Sequence, residues 1–199
     1  MFAYFRGFLR EKTPTYAVLE CQGVGYLLHI SLYTYEKLPD PGTTHPPEVL
    51  LYAYPIVRED SHQLYGFSDK AERELFAMLI SVSGVGANTA RMILSSQEPG
   101  RLVESITAGD AQGLSRIKGI GAKTASRIIL DLRDKVGGVS SDAGISRSLH
   151  NTLRGEALSA LFLLGFTRNA AEKALDKVIA EKGSDLRLEE LIKAALKLL

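Results

Sequence analysis

Two glycine-bracketed turns are the places in this sequence where residue type and spacing could do chemistry. Val82-Ser83-Gly84-Val85-Gly86-Ala87-Asn88-Thr89-Ala90 is answered 35 residues later by Ile117-Lys118-Gly119-Ile120-Gly121-Ala122-Lys123-Thr124-Ala125. Gly-apolar-Gly between two helical patterns predicts a very tight helix-to-helix turn. Its glycines permit left-handed backbone or close approach, and Val85 or Ile120 tucks into the junction to hold the turn shut. The first N–H groups of the following helix then face outwards without intrahelical partners, which makes an anion site. Ala90 and Ala125 are small enough to let the helices cross closely. A phosphate held by backbone N–H groups is read as backbone and not as base, so the pattern predicts affinity for DNA with little sequence preference.

Rival chemistries fit poorly. A helix-capping turn in a helical core would explain one copy, but two in-register copies with matching apolar frames argue against it. Gly119-Ile120-Gly121-Ala122-Lys123-Thr124 is no phosphate loop of the Walker type, because Ala122 separates Gly121 from Lys123 and no buried-strand pattern precedes it. A dinucleotide fingerprint wants Gly or Ala where Thr89 and Thr124 stand. Glu59 and Asp60 fall at the tip of a strand-to-strand turn within Pro55–Ser61. With no histidine or third acid nearby in sequence they make a poor ligand set, and alone they read as a solvated turn. Beside a DNA-binding segment they could repel phosphates. His29, His45, His62 and His150 lack ligand-like spacing, and the lone Cys21 excludes an intrachain disulfide or a cysteine-based zinc site. No catalytic residue, metal or cofactor is expected, and the chain does not read as an enzyme by itself.

The turns need helices to hold them, and the apolar spacing supplies these. Leu75, Met78, Leu79 and Val82 share a face before the first turn, and Ala90, Ile93 and Leu94 after it. Ala111, Leu114 and Ile117 precede the second turn, with Ala125, Ile128, Ile129 and Leu132 beyond it. This is a tandem helix-hairpin-helix pattern spanning 68–137. Leu102, Val103 and Ile106 form a connecting helix after the break at Gln97-Glu98-Pro99-Gly100, and Asp110 suits an N-cap.

The flanks read differently. Residues 1–67 hold five short runs rich in Tyr, Val, Leu, Ile and Phe: Phe2–Arg10, Tyr16–Cys21, Gly25–Leu32, Val49–Val57 and Gln63–Phe67. They are divided by Gly and Pro turn signals, as in a small closed barrel, with an SH3-like barrel as the main alternative. Residues 138–149 read as a flexible linker. Residues 150–199 carry three helical faces: Leu158, Leu161 and Phe162; Ala171, Ala174, Leu175, Val178 and Ile179; Leu188, Leu191, Ile192, Ala195 and Leu196. Thr167 is placed as an N-cap. The fold class is therefore multidomain α+β, with a barrel, an all-α double hairpin and a three-helix tail. The 199 residues are 45% hydrophobic with net charge +1, which excludes a blanket attraction for nucleic acid. Residues 68–137 hold 10 basic against 8 acidic side chains, so attraction must be local. No apolar run is long enough to span a membrane, and the first residues lack the pattern of a secretory signal, so the cytoplasm is expected.

Arg58-Glu59-Asp60 followed by Leu64-Tyr65-Gly66-Phe67, then both hairpins, the linker and Leu164-Gly165-Phe166 give an order of parts that resembles the RuvA family of bacterial Holliday junction branch-migration subunits. The resemblance covers essentially the whole chain. It implies an OB-fold first domain and a homotetramer, with an octamer left open, whose concave face holds four-way junction DNA. It implies a third domain that contacts a RuvB-type hexameric ATPase motor, and a RuvC-type resolving nuclease as a further associate. By the same resemblance Glu59 and Asp60 match an acidic pin at the junction centre. Gly84, Val85, Gly86 and Asn88, and Lys118, Gly119, Ile120, Gly121, Lys123 and Thr124, match the phosphate-binding hairpins, with Lys118 and Lys123 as basic support. Leu161, Leu164, Gly165 and Phe166 become candidates for the motor contact. Family members often carry a lysine where this chain has Asn88, so the first hairpin is expected to lean on its backbone N–H groups. The alternative is a structural protein that binds branched or duplex DNA without recruiting a motor.

Overall fold

The structure is a computed structural model that describes residues 2–42, 45–136, 149–182 and 186–199. Five strands form in the first third: β1 (Tyr4–Lys12), β2 (Tyr16–Cys21), β3 (Val24–His29), β4 (Glu48–Val57) and β5 (His62–Phe67). On β1, buried Phe5, Gly7 and Leu9 alternate with exposed Tyr4, Arg6 and Phe8, the two-residue period of a strand with one face on a core. The strands close in the order β1-β2-β3-β5-β4, with β1 paired antiparallel to β4 and β3 meeting β5 in parallel at His29 and Tyr65. Closure leaves no free sheet edge. Leu9, Leu19, Leu28, Ile30 and Leu51 fill the interior.

A short helix, α1 (Leu32–Lys37), lies between β3 and β4 and completes an OB-fold. The apolar run Gly25–Leu32 predicts a third strand that continues to Leu32. It ends at His29 because the Ser31 hydroxyl accepts the Thr34 N–H and starts a helix instead, an N-cap that Tyr33 and Tyr35, both strand-favouring residues, conceal.

Five helices follow: α2 (Lys70–Ser81), α3 (Ala87–Ser96), α4 (Pro99–Ala108), α5 (Ala111–Ser115) and α6 (Ala122–Leu132). Pro99 opens α4 and does not merely interrupt the chain, since the first helical position needs no N–H. Asp110 caps α5 by accepting the Gly113 N–H at 2.8 Å. Leu75, Leu79, Ile93, Leu94, Leu102, Ile106, Leu114, Ile128 and Leu132 form the helical core, and Tyr65 and Phe67 of β5 belong to the same cluster. Both rings lie 4.9 Å from the Phe76 ring, centroid to centroid. The segments 1–67 and 68–137 differ in composition, yet barrel and hairpin helices pack as one compact unit.

The second unit holds α7 (Leu149–Leu163), α8 (Arg168–Lys182) and α9 (Leu188–Leu196). Ala157, Leu161, Ala171, Leu175, Val178, Leu191 and Ala195 are its buried core. Phe162, expected on the inner face of α7, is 64% exposed; the core takes Leu161, as expected, together with Ala157. The expected linker 138–149 lies outside the described residues except for Leu149, which opens α7.

Candidate nucleic-acid interface

The two hairpins repeat each other closely. Gly84 and Gly119 hold φ of 92° and 90°, the left-handed region that only glycine enters freely. Gly86 and Gly121 stand at φ −84° with ψ of 169° and 166°, backbone open to any residue. Val85 N–H donates to Val82 O and Ile120 N–H to Ile117 O, each at 3.0 Å. The side chains of Val85 and Ile120 are buried, so the apolar residue does close the turn. The next intrahelical bonds are Ala90 N–H to Gly86 O and Ala125 N–H to Gly121 O, both 2.9 Å. Ala90 and Ala125 are fully buried at the crossings.

α3 and α6, like α4 with its opening Pro99, start without a side-chain cap. Ser31, Asp69 and Asp110 cap α1, α2 and α5 with a side-chain oxygen. The caps of α3 and α6 are Gly86 and Gly121, which offer none. The first N–H groups of both helices are thus left to a ligand or to water. A Cβ built on Gly86 or Gly121 would meet nothing within 4 Å. The close approach expected there is therefore not made by the chain itself, and the bare backbone is open to something from outside.

The surroundings differ between the copies. Lys118 and Lys123 are exposed beside the second hairpin, with Thr124 half-buried. At the first, Asn88 is exposed but Ala87 is buried, because α3 starts against the end of β4. Tyr54, Pro55, Ile56, Val57 and Arg58 line one groove with Ile80, Val85, Gly86 and Ala87. Arg58 therefore borders the same groove as the hairpin that lacks a lysine, a juxtaposition invisible in sequence. Arg127 of α6 donates to Ser83 O at 3.2 Å, so a basic residue of the second copy reaches the loop of the first. Its signal was present: Lys123 and Arg127 are four residues apart and share a helix face.

The β4–β5 turn closes where Arg58 N–H donates to Ser61 O at 2.8 Å, just past the last strand pair, Val57 with His62. Glu59 and Asp60 project from this tip, both exposed, and neither is in an ion pair among the described residues. Among the described residues no group of three or more His, Cys, Asp or Glu is arranged to hold a metal ion. None of the described helices is long and apolar enough to cross a membrane. In the three-helix unit, Leu161 is fully buried and its side chain cannot be offered to a partner, whereas Leu164 is 60% exposed. Gly165 turns the chain at φ 96°, and Phe166 packs partly against the core.

Residues 1–66 match the RuvA N terminal domain family, residues 76–134 the SAM-like helix-hairpin-helix tandem, and residues 152–199 the RuvA C-terminal domain. The chain is 48% identical over 197 residues to the Holliday junction branch migration complex subunit RuvA of Christiangramia forsetii, covering 99% of each chain. The protein of the same name from Flavobacterium psychrophilum is also 48% identical, with the same coverage. That of Cytophaga hutchinsonii is 42% identical over 204 residues, the full length of both. With all three parts matched in order and relatives aligned from end to end, the chain belongs to the RuvA family.

Proposed function

We propose that this protein binds four-way (Holliday) junction DNA and serves as the non-catalytic subunit of a branch-migration complex. The observation that carries this is the pair of hairpins with near-identical dihedrals and uncapped helix starts, on the same compact unit as an exposed acidic tip. The hairpins supply sequence-independent phosphate contacts. Exposed Glu59 and Asp60 supply local repulsion, which a plain duplex binder has no use for. Four copies around an axis would bring four tips together at a crossover and set two hairpins against each arm; whether two such tetramers enclose the junction as an octamer is left to measurement. The relatives' name supports the same reading.

The three-helix unit would recruit a RuvB-type hexameric ATPase, with Phe162, Leu164 and Gly165 as its exposed contact and Phe166 shaping the turn beneath. A RuvC-type nuclease would join the same complex, and the cytoplasm, beside the chromosome, is the place of action. No cofactor is required. The test compares four-way junction with linear duplex over a salt series, using the full chain and a version ending at Val136. Stronger junction binding by both, with stimulation of the motor's ATPase by the full chain alone, is expected. Equal affinity for the two DNAs would overturn the junction reading, and unaltered motor stimulation by the shortened chain would move the partner surface elsewhere.

A further inference from the structure

Arg91 is the only charged side chain on α3 and belongs to neither hairpin motif. Its Nη1 donates to Thr15 O, in the turn between β1 and β2, at 2.9 Å. Thr15 O also accepts the Ile30 N–H at 3.1 Å, so both lone pairs of this carbonyl are used. Among the described residues no carboxylate pairs with Arg91. One turn on, Ser95 Oγ donates to Arg91 O at 2.8 Å and accepts the Leu32 N–H at 3.0 Å. The hydroxyl hydrogen is used inside α3, which leaves the oxygen lone pairs for Leu32. Leu32 is the first residue of α1, and its N–H is one that a helix cannot satisfy by itself.

These two bonds join α3 to the barrel across 76 and 63 residues of sequence. Ile93 and Leu94 bury α3 in the helical core, but apolar contacts have no direction, whereas hydrogen bonds fix an angle. α2 meets the same short helix. The Ser31 and Thr34 hydroxyls donate to buried Glu72, and Asp69 takes bonds from Tyr33 and Lys37 at 3.0 Å each. Among the described residues the second hairpin makes no such bond to the barrel. Its α6 reaches the first hairpin, through Arg127 to Ser83 O, so its hydrogen-bonded route to the barrel runs by way of the first.

We infer that Arg91 is a positioning residue for junction binding: through Thr15 O it holds α3, and with it the hairpin that opens this helix, at one angle on the barrel that carries Glu59 and Asp60. This rests on the junction reading above. The path is continuous in both directions. Gly86 O of the hairpin accepts the Ala90 N–H at 2.9 Å, directly before Arg91. Ile30, which shares Thr15 O, follows His29, whose strand pairs with β5 at Tyr65, and β5 is one arm of the turn that bears the tip. A junction would engage hairpins and tips of several copies together, so it needs their relative placement fixed in advance. A linear duplex can use hairpins alone. Thr15 O keeps its Ile30 bond when the guanidinium is removed, so no acceptor is orphaned and stability should hardly change.

The test uses the full chain with Arg91→Ala, Arg91→Lys and Ser95→Ala. Affinity for a four-way junction and for a linear duplex is measured over a salt series, with urea unfolding and amide hydrogen exchange at Leu32. Arg91→Ala should keep near-parent stability and bind the junction about two- to tenfold more weakly, the worth of one hydrogen bond, while duplex affinity changes less. Its salt slope should stay at the parent value, and Leu32 should lose protection although Ser95 is intact. Arg91→Lys, which can still donate to Thr15 O, should recover much of the junction-to-duplex ratio. Ser95→Ala should lower the ratio with the charge untouched. Equal weakening of both DNAs, with a slope reduced by about one unit, would make Arg91 a phosphate contact and overturn the inference. An unchanged ratio in Arg91→Ala, or unaltered exchange at Leu32, overturns it too. Should Arg91→Ala not fold, Ser95→Ala decides, and an unchanged ratio there overturns the inference. A parent protein with no junction preference fails the junction reading itself, and Leu32 exchange in Arg91→Ala still judges the joint.

Discussion

Arg127 donates to the backbone carbonyl of Ser83 at 3.2 Å, so the helix that follows the second hairpin holds the loop of the first. The two hairpins are therefore joined by a direct contact as well as by the shared core of Ile93, Leu114 and Ile128. On the proposed function, a DNA backbone that engaged one hairpin would meet the other at a fixed offset, so that two weak phosphate clamps would act as one.

The glycines of each hairpin should separate into two kinds. Gly84→Ala and Gly119→Ala force a side chain into left-handed backbone and should each lower stability by about 1 kcal/mol. Gly86→Ala and Gly121→Ala face no strain and no contact, so stability should hold while DNA affinity falls as the new methyl keeps phosphate off the backbone. Urea unfolding and junction binding on the four variants check this. Full affinity in Gly86→Ala and Gly121→Ala would mean that these helix starts do not hold phosphate.

Charge at the hairpins should act through phosphate alone. Lys123→Ala should weaken junction and duplex alike and reduce the salt slope by about one unit. Asn88→Lys should strengthen both, since residue 88 is exposed on the first turn of α3. Binding of each variant over a salt series is the check, and no gain from Asn88→Lys would place residue 88 away from the backbone.

Stability should depend on pH through Glu72 and Asp69 in opposite senses. Burial raises the folded Glu72 to about 7 from the ordinary 4.5, so its contribution is fully present below 4.5. It is lost as pH rises through about 7, to a total of roughly 3 kcal/mol. For Asp69, burial works upward, but the bonds from the Glu72 N–H, Lys37 and Tyr33 prevail and lower it. Its contribution is present above the ordinary carboxylate range and is lost as pH falls through it. Urea unfolding between pH 4.5 and 8 should show a decline in the parent chain that Glu72→Gln lacks. Equal slopes in the two proteins would contradict a raised Glu72.

The hairpins were legible because everything that makes them is local: two glycines, one apolar plug, and helical spacing on either side. The closed barrel was legible from strand runs and turn signals, though α1 was not, since Tyr33 and Tyr35 favour strand and only the Ser31 cap betrays the helix. Glu72 escaped for a different reason. Acids are common in the first turn of a helix, and burial of this one follows from α1 closing over it, a contact made across the fold. Arg58 beside Gly86 is likewise a product of packing. Phe162 was misplaced because helical spacing alone does not choose between adjacent positions of α7; packing against α8 and α9 puts Leu161 inside and Phe162 out.

The acidic tip gives the sharpest contrast between readings. Glu59 and Asp60 are exposed at the end of a two-stranded projection, in the company of Arg58, which lines the groove of the first hairpin. Opposite charges at adjacent positions would draw phosphate toward the hairpin and turn it away from the tip. Carboxylates arranged this way lower raw affinity and raise selectivity, by penalising a duplex that runs straight through. Neutralising both with Glu59→Gln and Asp60→Asn should preserve or increase DNA affinity, more for linear duplex than for junction, so the junction-to-duplex ratio should fall. Arg58→Ala should weaken both DNAs. The measurement is that ratio in EDTA, on proteins of equal oligomeric state, which separates repulsion from any divalent-ion effect. A ratio unchanged by the double substitution would reduce the tip to an ordinary solvated turn.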